Sequence, residues 1–135
     1  MAGAVRDRAA MIRGMAPVRR AGAYVFCTVP RAQAAAAADA AIATFAEDEG
    51  LSVILPRERA EALGQDAALP MACITLSVHS ALDGVGLTAA VAGALADAGI
   101  PCNMVAAFHH DHAFVPEARA EEALSLLKAL AATSS

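Results

Sequence analysis

Two stretches with the same order of features decide the fold: ATFAEDEGLSVILPRERAEALG (residues 43–64) and AAFHHDHAFVPEARAEEALSLL (residues 106–127). Each runs from a strand-like segment ending in phenylalanine, through a polar tip, to a second strand-like segment ending at proline. From the proline onward the two stretches match at a constant spacing, with Arg-Ala-Glu at Arg59–Glu61 and again at Arg119–Glu121. We therefore predict two copies of one strand-turn-strand-helix unit.

The segments around these stretches also alternate between strand and helix patterns. YVFCTVP (24–30) is rich in strand-forming residues, and MACITLSVH (71–79) alternates apolar and smaller polar side chains. Leu87, Val91 and Leu95 recur at helical spacing, and Gly99 can end that helix. The alanine-rich tract 31–41 has helix propensity but lacks large apolar anchors, so its structure stays open between helix and loop. The sequence as a whole predicts an α+β fold.

Composition excludes several classes of function. The chain has 135 residues and a net charge of −4, which gives no basic surface for nucleic acid. Apolar runs stay shorter than the roughly 18 residues that a membrane-spanning helix needs. The first fifteen residues carry several arginines and lack the apolar core of a secretory signal; they predict a short amphipathic helix. We expect a cytoplasmic protein that binds neither nucleic acid nor membrane.

Catalytic signatures are missing from the sequence. It contains no phosphate-binding loop, dinucleotide fingerprint, nucleophile elbow or His-Glu-x-x-His helix. The three cysteines, Cys27, Cys73 and Cys102, lie far apart inside apolar runs, where a free thiol behaves as a small hydrophobic group. We therefore expect a protein that is not an enzyme and that needs no cofactor.

Three histidines and an aspartate crowd together at His109, His110, Asp111 and His112. In the first copy of the repeat the corresponding place is Glu47–Gly50, a predicted hairpin tip, so a polar turn explains the quartet. The alternative is a partial metal site, in which His109 and His112 face each other across the turn and Asp111 adds an oxygen ligand.

The loop that precedes the predicted helix with Leu87, Val91 and Leu95 can bind a small zwitterion. Backbone N–H groups at a helix start, near Val85, Gly86 and Leu87, form an anion site assisted by the helix dipole. Asp83 can hold an ammonium group, and Asn103 offers both a donor and an acceptor. The alternative is a capping box, in which Ser80 and Asp83 satisfy only the N–H groups of their own helix.

The stretch SALDGVGLTAAVAGALADAGIPCNMV, from Ser80 onward, resembles the signature of ACT domains. In that signature Asp-x-Pro-Gly-x-Leu opens a helix that ends before Ala-Gly-Ile and the next strand. Asp83, Gly86, Leu87 and Ala98–Ile100 stand in matching places, whereas Val85 replaces the proline and the Gly-x-Leu spacing is altered. The whole chain looks like small stand-alone bacterial proteins with two ACT-like units, related to the regulatory domains of aspartate kinases and to cytosolic arginine sensors.

The resemblance implies two ferredoxin-like (βαββαβ-type) units, each an antiparallel sheet covered by helices on one face. We predict an N-terminal unit over residues 1–66, with the leading helix, and a C-terminal ACT domain over residues 67–135. It also implies that units pair, so that a homodimer is expected, and that an amino acid or similar small zwitterion binds between them. The predicted ligand-binding residues are His79, Ser80, Leu82, Asp83, Val85, Gly86, Leu87, Ile100 and Asn103.

Three functions remain open. The first is a regulatory module that senses an amino acid. The second is a structural or partner-binding module of the same fold that holds no ligand. The third is a metal-binding protein or metalloenzyme centred on His109, His110, Asp111 and His112.

Overall fold

The computed structural model describes residues 3–133. In chain order the elements are α1 (Arg8–Arg13), β1 (Pro17–Arg19), β2 (Tyr24–Val29), α2 (Ala34–Ala40), β3 (Ala43–Glu47), β4 (Gly50–Pro56), α3 (Arg57–Ala62), β5 (Met71–Leu76), α4 (Leu87–Asp97), β6 (Asn103–Ala106), β7 (Asp111–Pro116) and α5 (Ala120–Thr133). Single 3-10 turns at Arg31–Gln33 and Glu117–Arg119 precede α2 and α5. The predicted α+β class is confirmed.

The chain forms two compact units that are interleaved in sequence. The smaller unit is Ala21–Met71, and the larger unit combines the chain up to Arg20 with the chain from Ala72 onward. This division differs from the predicted boundary between residues 66 and 67, because the leading helix and β1 belong to the larger unit. The physical reason is pairing and burial: β1 forms an antiparallel ladder with β5, and α1 supplies Met11 and Ile12 to the core of the larger unit.

In the smaller unit, β4 pairs antiparallel with β2 and with β3. The β3–β4 connection is the predicted hairpin, closing at Glu47 and Gly50. The alanine-rich tract, which the sequence left open, forms α2 and buries Ala37. The core is built from small and medium side chains: Val25, Val29, Ala37, Val53, Leu55 and Ala60.

In the larger unit, β5 pairs with β1 and neighbours β7, which in turn pairs antiparallel with β6. Helix α4 buries one stripe at Leu87, Val91 and Leu95, as its spacing predicts. Helix α5 buries Ala120, Ala123 and Leu127 in the same core cluster. Its preceding turn places Arg119, which donates to the carbonyl oxygens of Ala98 and Gly99 and so satisfies the end of α4.

The predicted repeat is visible in the backbone of both units. Pro56 ends β4 with φ −53° and ψ 139°, and Pro116 ends β7 with φ −52° and ψ 134°. A helical segment follows directly in each case, because a proline needs no N–H partner at the start of a helix. The copies differ in length: α3 has 6 residues and α5 has 14.

None of the helices within residues 3–133 is both long enough and apolar enough to cross a membrane.

Candidate functional site

The site lies in the larger unit, at the loop between β5 and α4. The extended N-terminal segment pairs with the start of this loop: Val5 N donates to His79 O (2.8 Å), and Ala81 N donates to Val5 O (2.7 Å). Helix α1 follows directly, and Asp7 caps it by accepting from Ala10 N at 2.9 Å. The N-terminal segment is therefore packed directly against this loop.

Helix α4 begins without a side-chain cap. Gly86 is its N-cap residue, with φ 110°, a left-handed conformation that favours glycine. A Cβ at Gly86 would lie 2.6 Å from Cδ and 2.9 Å from Nε of Arg8, so the Arg8 side chain runs directly beside the helix start. No ion pair is formed by Arg8 within residues 3–133. Its positive charge adds to that of the helix dipole at this point.

The capping-box alternative is wrong. The Ser80 hydroxyl donates to Asp111 Oδ2 at 3.0 Å, and Asp83 accepts from Arg6 Nε at 2.9 Å. Both side chains are thus directed away from the N–H groups of α4. Those groups are left for a different acceptor.

A cavity of about 130 Å³ opens between this loop, α1 and the β6–β7 hairpin. Its lining combines small, apolar and polar residues: Met11, Ser80, Ala81, Leu82, Gly84, Gly86, Leu87, Thr88, Ala106 and Asp111. Gly84 matters for its size, because a Cβ there would come within 3.1 Å of Met11 Sδ. A side chain at position 84 would therefore require Met11 or the loop to shift.

Asp111 is the chemically distinctive residue of the cavity. It is 9% exposed, and among residues 3–133 it is the only charged or polar residue that is buried. Its side chain accepts one hydrogen bond, from Ser80, and no cationic side chain of the described residues forms an ion pair with it. Asp111 therefore gives one wall of the cavity a negative charge.

The histidine quartet forms the end of the β6–β7 hairpin, as the turn interpretation predicts. Ala107 N donates to His110 O at 3.0 Å, so Phe108 and His109 form the tip and His110 lies directly after it. Asp111 and His112 begin β7 and alternate across the strand: Asp111 meets Ser80, and His112 Nδ1 lies 2.9 Å from Thr75 Oγ1.

The alternative metal site is not formed by these residues, because Asp111 and His112 lie on opposite faces of β7. His109 packs instead against the rings of His79 and Phe108, at centroid distances of 5.4 Å and 5.0 Å. Within residues 3–133, no cluster of three or more His, Cys, Asp or Glu side chains is arranged to hold a metal ion. His109, Asp111 and His112 point to three different partners.

His112 is expected to make the protein less stable in mild acid. Burial, with help from Arg20 and His110, lowers the pKa of the imidazole, against a smaller opposing effect of Asp111. Between the lowered pKa and the ordinary value of about 6.5, the unfolded chain binds a proton that the folded chain does not. Stability therefore falls as the pH drops below about 6.5.

Urea unfolding at several pH values tests this contribution of His112. The His112→Gln variant should lose less stability between neutral pH and about pH 5.5 than the wild type. Glutamine keeps a polar group near Thr75 but does not titrate. Equal pH slopes for the two proteins would contradict the assignment.

The structure brings together only part of the predicted ligand-binding set. Ser80, Leu82, Gly86 and Leu87 line the cavity. Val85 is 79% exposed, and Asp83 forms a surface ion pair. His79 contributes its backbone to the Val5 bridge and its ring to the stack with Phe108 and His109.

Two predicted residues, Ile100 and Asn103, do not line the cavity. Ile100 is 2% exposed and belongs to the core. Asn103 begins β6 opposite Phe114, three residues from Ala106, which lines the cavity. At the usual rise of a strand this is about 10 Å. A ligand-binding role for Ile100 and Asn103 stays a prediction, which the arrangement of this loop does not support.

Three features of the site were not predicted from the sequence. Arg8 lies beside the start of α4, and Met11 and Asp111 line the cavity. A usable signal existed for Asp111, because it is a single charged residue at the start of the apolar strand DHAFVP. Arg8 and Met11 gave no such signal, since they lie about seventy residues before the loop that they contact.

The cysteine thiols have raised pKa values, in every case mainly because of burial. Cys73 is fully buried, and Cys27 and Cys102 are partly buried. A raised pKa keeps a thiol protonated, which is the reverse of the activation that a nucleophilic cysteine requires. The cysteines therefore pack as small hydrophobic groups, in line with the interpretation of the sequence.

Family models match the chain in two adjacent blocks. One model, described as an ACT domain, matches residues 4–72, and a second model with the same description matches residues 69–129. No curated protein matches the chain in sequence.

Solved structures show the same architecture. A protein of unknown function from Vibrio cholerae, described as a possible transport protein, is 44% identical with a TM-score of 0.79, over 87% of this chain and 89% of that one. A protein from Agrobacterium tumefaciens is 21% identical, with a TM-score of 0.59 over 82% of this chain and 84% of that one. The ligand-free regulatory subunit of aspartate kinase from Thermus thermophilus is 12% identical, with a TM-score of 0.59 over 84% of this chain and 95% of its own.

Proposed function

Since this chain belongs to the ACT-domain family, we propose that it is a regulatory module that binds an amino acid and carries out no catalysis itself. The observation that carries the proposal is Asp111, a nearly buried carboxylate without a cationic partner among the described residues, facing a cavity. The regulatory subunit of aspartate kinase, which shares the fold, supports a regulatory role. We place the ligand in the cavity beside α4.

The charges of the cavity match the two ends of an amino acid. The ammonium group takes the position beside Asp111, where it supplies the missing positive partner. The carboxylate takes the N–H groups at the start of α4, beside the unpaired guanidinium of Arg8. A simple anion would match only the start of α4, and a neutral solute would match the charge of neither wall.

A site of this kind can bind an amino acid with the affinity that a sensor needs. Micromolar to millimolar binding corresponds to about −8 to −4 kcal/mol. Very small ligands reach as much as about −1.5 kcal/mol per non-hydrogen atom in the best cases. Two charge-assisted hydrogen-bonded ends therefore suffice without a deep pocket.

Pairing of two copies is part of the proposal. Leu82, Val85 and Phe108 are large apolar side chains of the loop and hairpin, and each is at least 69% exposed. Strand β6 lies at the edge of its sheet, and its neighbour is β7. A second copy that covers this edge would bury the three side chains and shield the cavity. Light scattering should then give twice the chain mass.

Isothermal titration with the twenty amino acids tests the proposed function. At least one amino acid should bind with a Kd between about 1 µM and 1 mM. The same compound without its carboxylate, and the same compound without its ammonium group, should bind at least about tenfold more weakly, because each then leaves one charged wall unmatched. If no amino acid binds or raises the melting temperature at about 10 mM, the proposal fails.

A further inference from the structure

We infer that the ligand is a small amino acid of about five to seven non-hydrogen atoms, the size of glycine, alanine or serine, and that Met11 of the N-terminal helix sets this limit. The inference rests on the proposed function and adds the class of amino acid. Its starting point is the volume of the cavity, about 130 Å³. An engineered protein cavity of about 150 Å³ holds one benzene molecule, which has six non-hydrogen atoms.

The wall that limits the cavity is held firmly in place. Met11 is 1% exposed, and its Sδ would lie 3.1 Å from a Cβ at Gly84. Its helix is fixed at one end by the Asp7 cap and is preceded by the Val5 bridge to the loop. Met11 is also packed into the core cluster with Ile12 and Met15. A larger ligand therefore cannot gain space without displacing core side chains.

The two charged walls leave one direction for the ligand side chain. The ammonium group lies at Asp111 and the carboxylate at the start of α4. The large apolar side chains of the remaining lining are Met11, Leu82 and Leu87. A hydrogen, a methyl or a hydroxymethyl group fits such a space. A branched or longer side chain meets the Met11 thioether, and one methylene too many in a packed pocket typically weakens binding about 10- to 200-fold.

Titration of glycine, alanine, serine, valine and leucine into the wild type and the Met11→Ala variant tests this inference. The wild type should bind its best small amino acid at least about tenfold more tightly than valine or leucine. In Met11→Ala the space of the lost side chain becomes available, and valine should gain at least about tenfold relative to alanine. Wild-type protein that binds valine or leucine as tightly as alanine would overturn the size limit and leave the proposed function standing.

Met15→Ala is the matched control for Met11→Ala. Met15 is fully buried in the same core cluster but does not line the cavity, so its loss should lower stability comparably and leave the selectivity unchanged. A shift of selectivity in Met15→Ala equal to that in Met11→Ala would overturn the role of Met11. Failure of every zwitterion to bind the wild type would instead remove the proposed function itself.

Ala106→Leu decides the matter if Met11→Ala does not fold. Ala106 lines the cavity from an exposed position of β6, so a larger side chain there narrows the cavity with little cost to the core. Binding of alanine and serine should fall at least about tenfold, and binding of glycine should fall less. An equal loss for all three ligands would contradict a limit set by side-chain size.

Discussion

The Asp111→Asn variant is expected to bind the amino acid at least about 30-fold more weakly, while the unliganded protein stays as stable as the wild type or becomes more stable. Removal of one partner from a buried charge pair costs about 2–5 kcal/mol of binding free energy. In the unliganded protein, however, the Asp111 charge has no cationic partner among the described residues, and its one hydrogen bond comes from Ser80. Asparagine keeps an acceptor for Ser80 and removes the uncompensated charge.

Isothermal titration and thermal unfolding of the same samples separate the two effects. A residue with only a structural role would lower both binding and stability when replaced. The opposite movement of the two measurements is the expected signature of a ligand-binding carboxylate. A clear loss of stability in the unliganded variant would argue that Asp111 serves the fold.

Asp83→Asn is the matched control, because the sequence assigned the ammonium group to Asp83. The side chain of Asp83 is 74% exposed and pairs with Arg6, and such surface pairs contribute about 0–1 kcal/mol. Binding by this variant should stay within about threefold of the wild type. If Asp83→Asn abolishes binding and Asp111→Asn does not, the ligand lies on the outer side of the loop and the cavity is not the site.

A fragment of residues 67–135, which corresponds to the predicted C-terminal domain, is expected not to fold cooperatively. It lacks Met11, Ile12 and Met15, each at most 2% exposed in the core of the larger unit. Burial of three such side chains contributes about 5–9 kcal/mol, which is comparable to the total stability of an ordinary domain. The fragment also lacks β1 and leaves the corresponding edge of β5 unpaired.

Urea unfolding followed by circular dichroism provides the measurement, and a circular permutant provides the control. The permutant joins residues 67–133 through a flexible linker of about fifteen residues to residues 3–20, which restores the missing strand and helix. It should unfold in one cooperative transition, and the fragment should not. A cooperative transition in the fragment alone would show that the first twenty residues are dispensable for the larger unit.

The repeat and the family could be predicted from the sequence. The two stretches around Pro56 and Pro116 form the same strand-to-helix junction, and the tandem family matches confirm the resemblance to ACT domains. These features are local: proline fixes one backbone angle, and the spacing of apolar residues selects helix or strand. The hairpin at Glu47–Gly50 and the turn between β6 and β7 follow from the same kind of signal.

The candidate site could be predicted only in part. The Gly86–Leu87 helix start was identified, because glycine at a helix start marks a place where backbone can approach a ligand. The sequence assigned the ammonium group to Asp83, whereas the site that we propose uses Asp111 from the neighbouring hairpin. An exposed and a buried carboxylate look the same in a sequence, and burial is what gives the charge its effect.

The sequence by itself determined the type and order of the elements, the duplication, and the loop at which a ligand is expected. Tertiary structure alone decided that the first twenty residues complete the larger unit. It also decided that Met11 and Asp111 line one cavity and that Arg8 lies beside the helix start at Gly86. The physical reason is the range of the interactions. Propensity and periodicity act over a few neighbouring residues, whereas core burial and strand pairing join segments about seventy residues apart, and no local pattern records which segments those are.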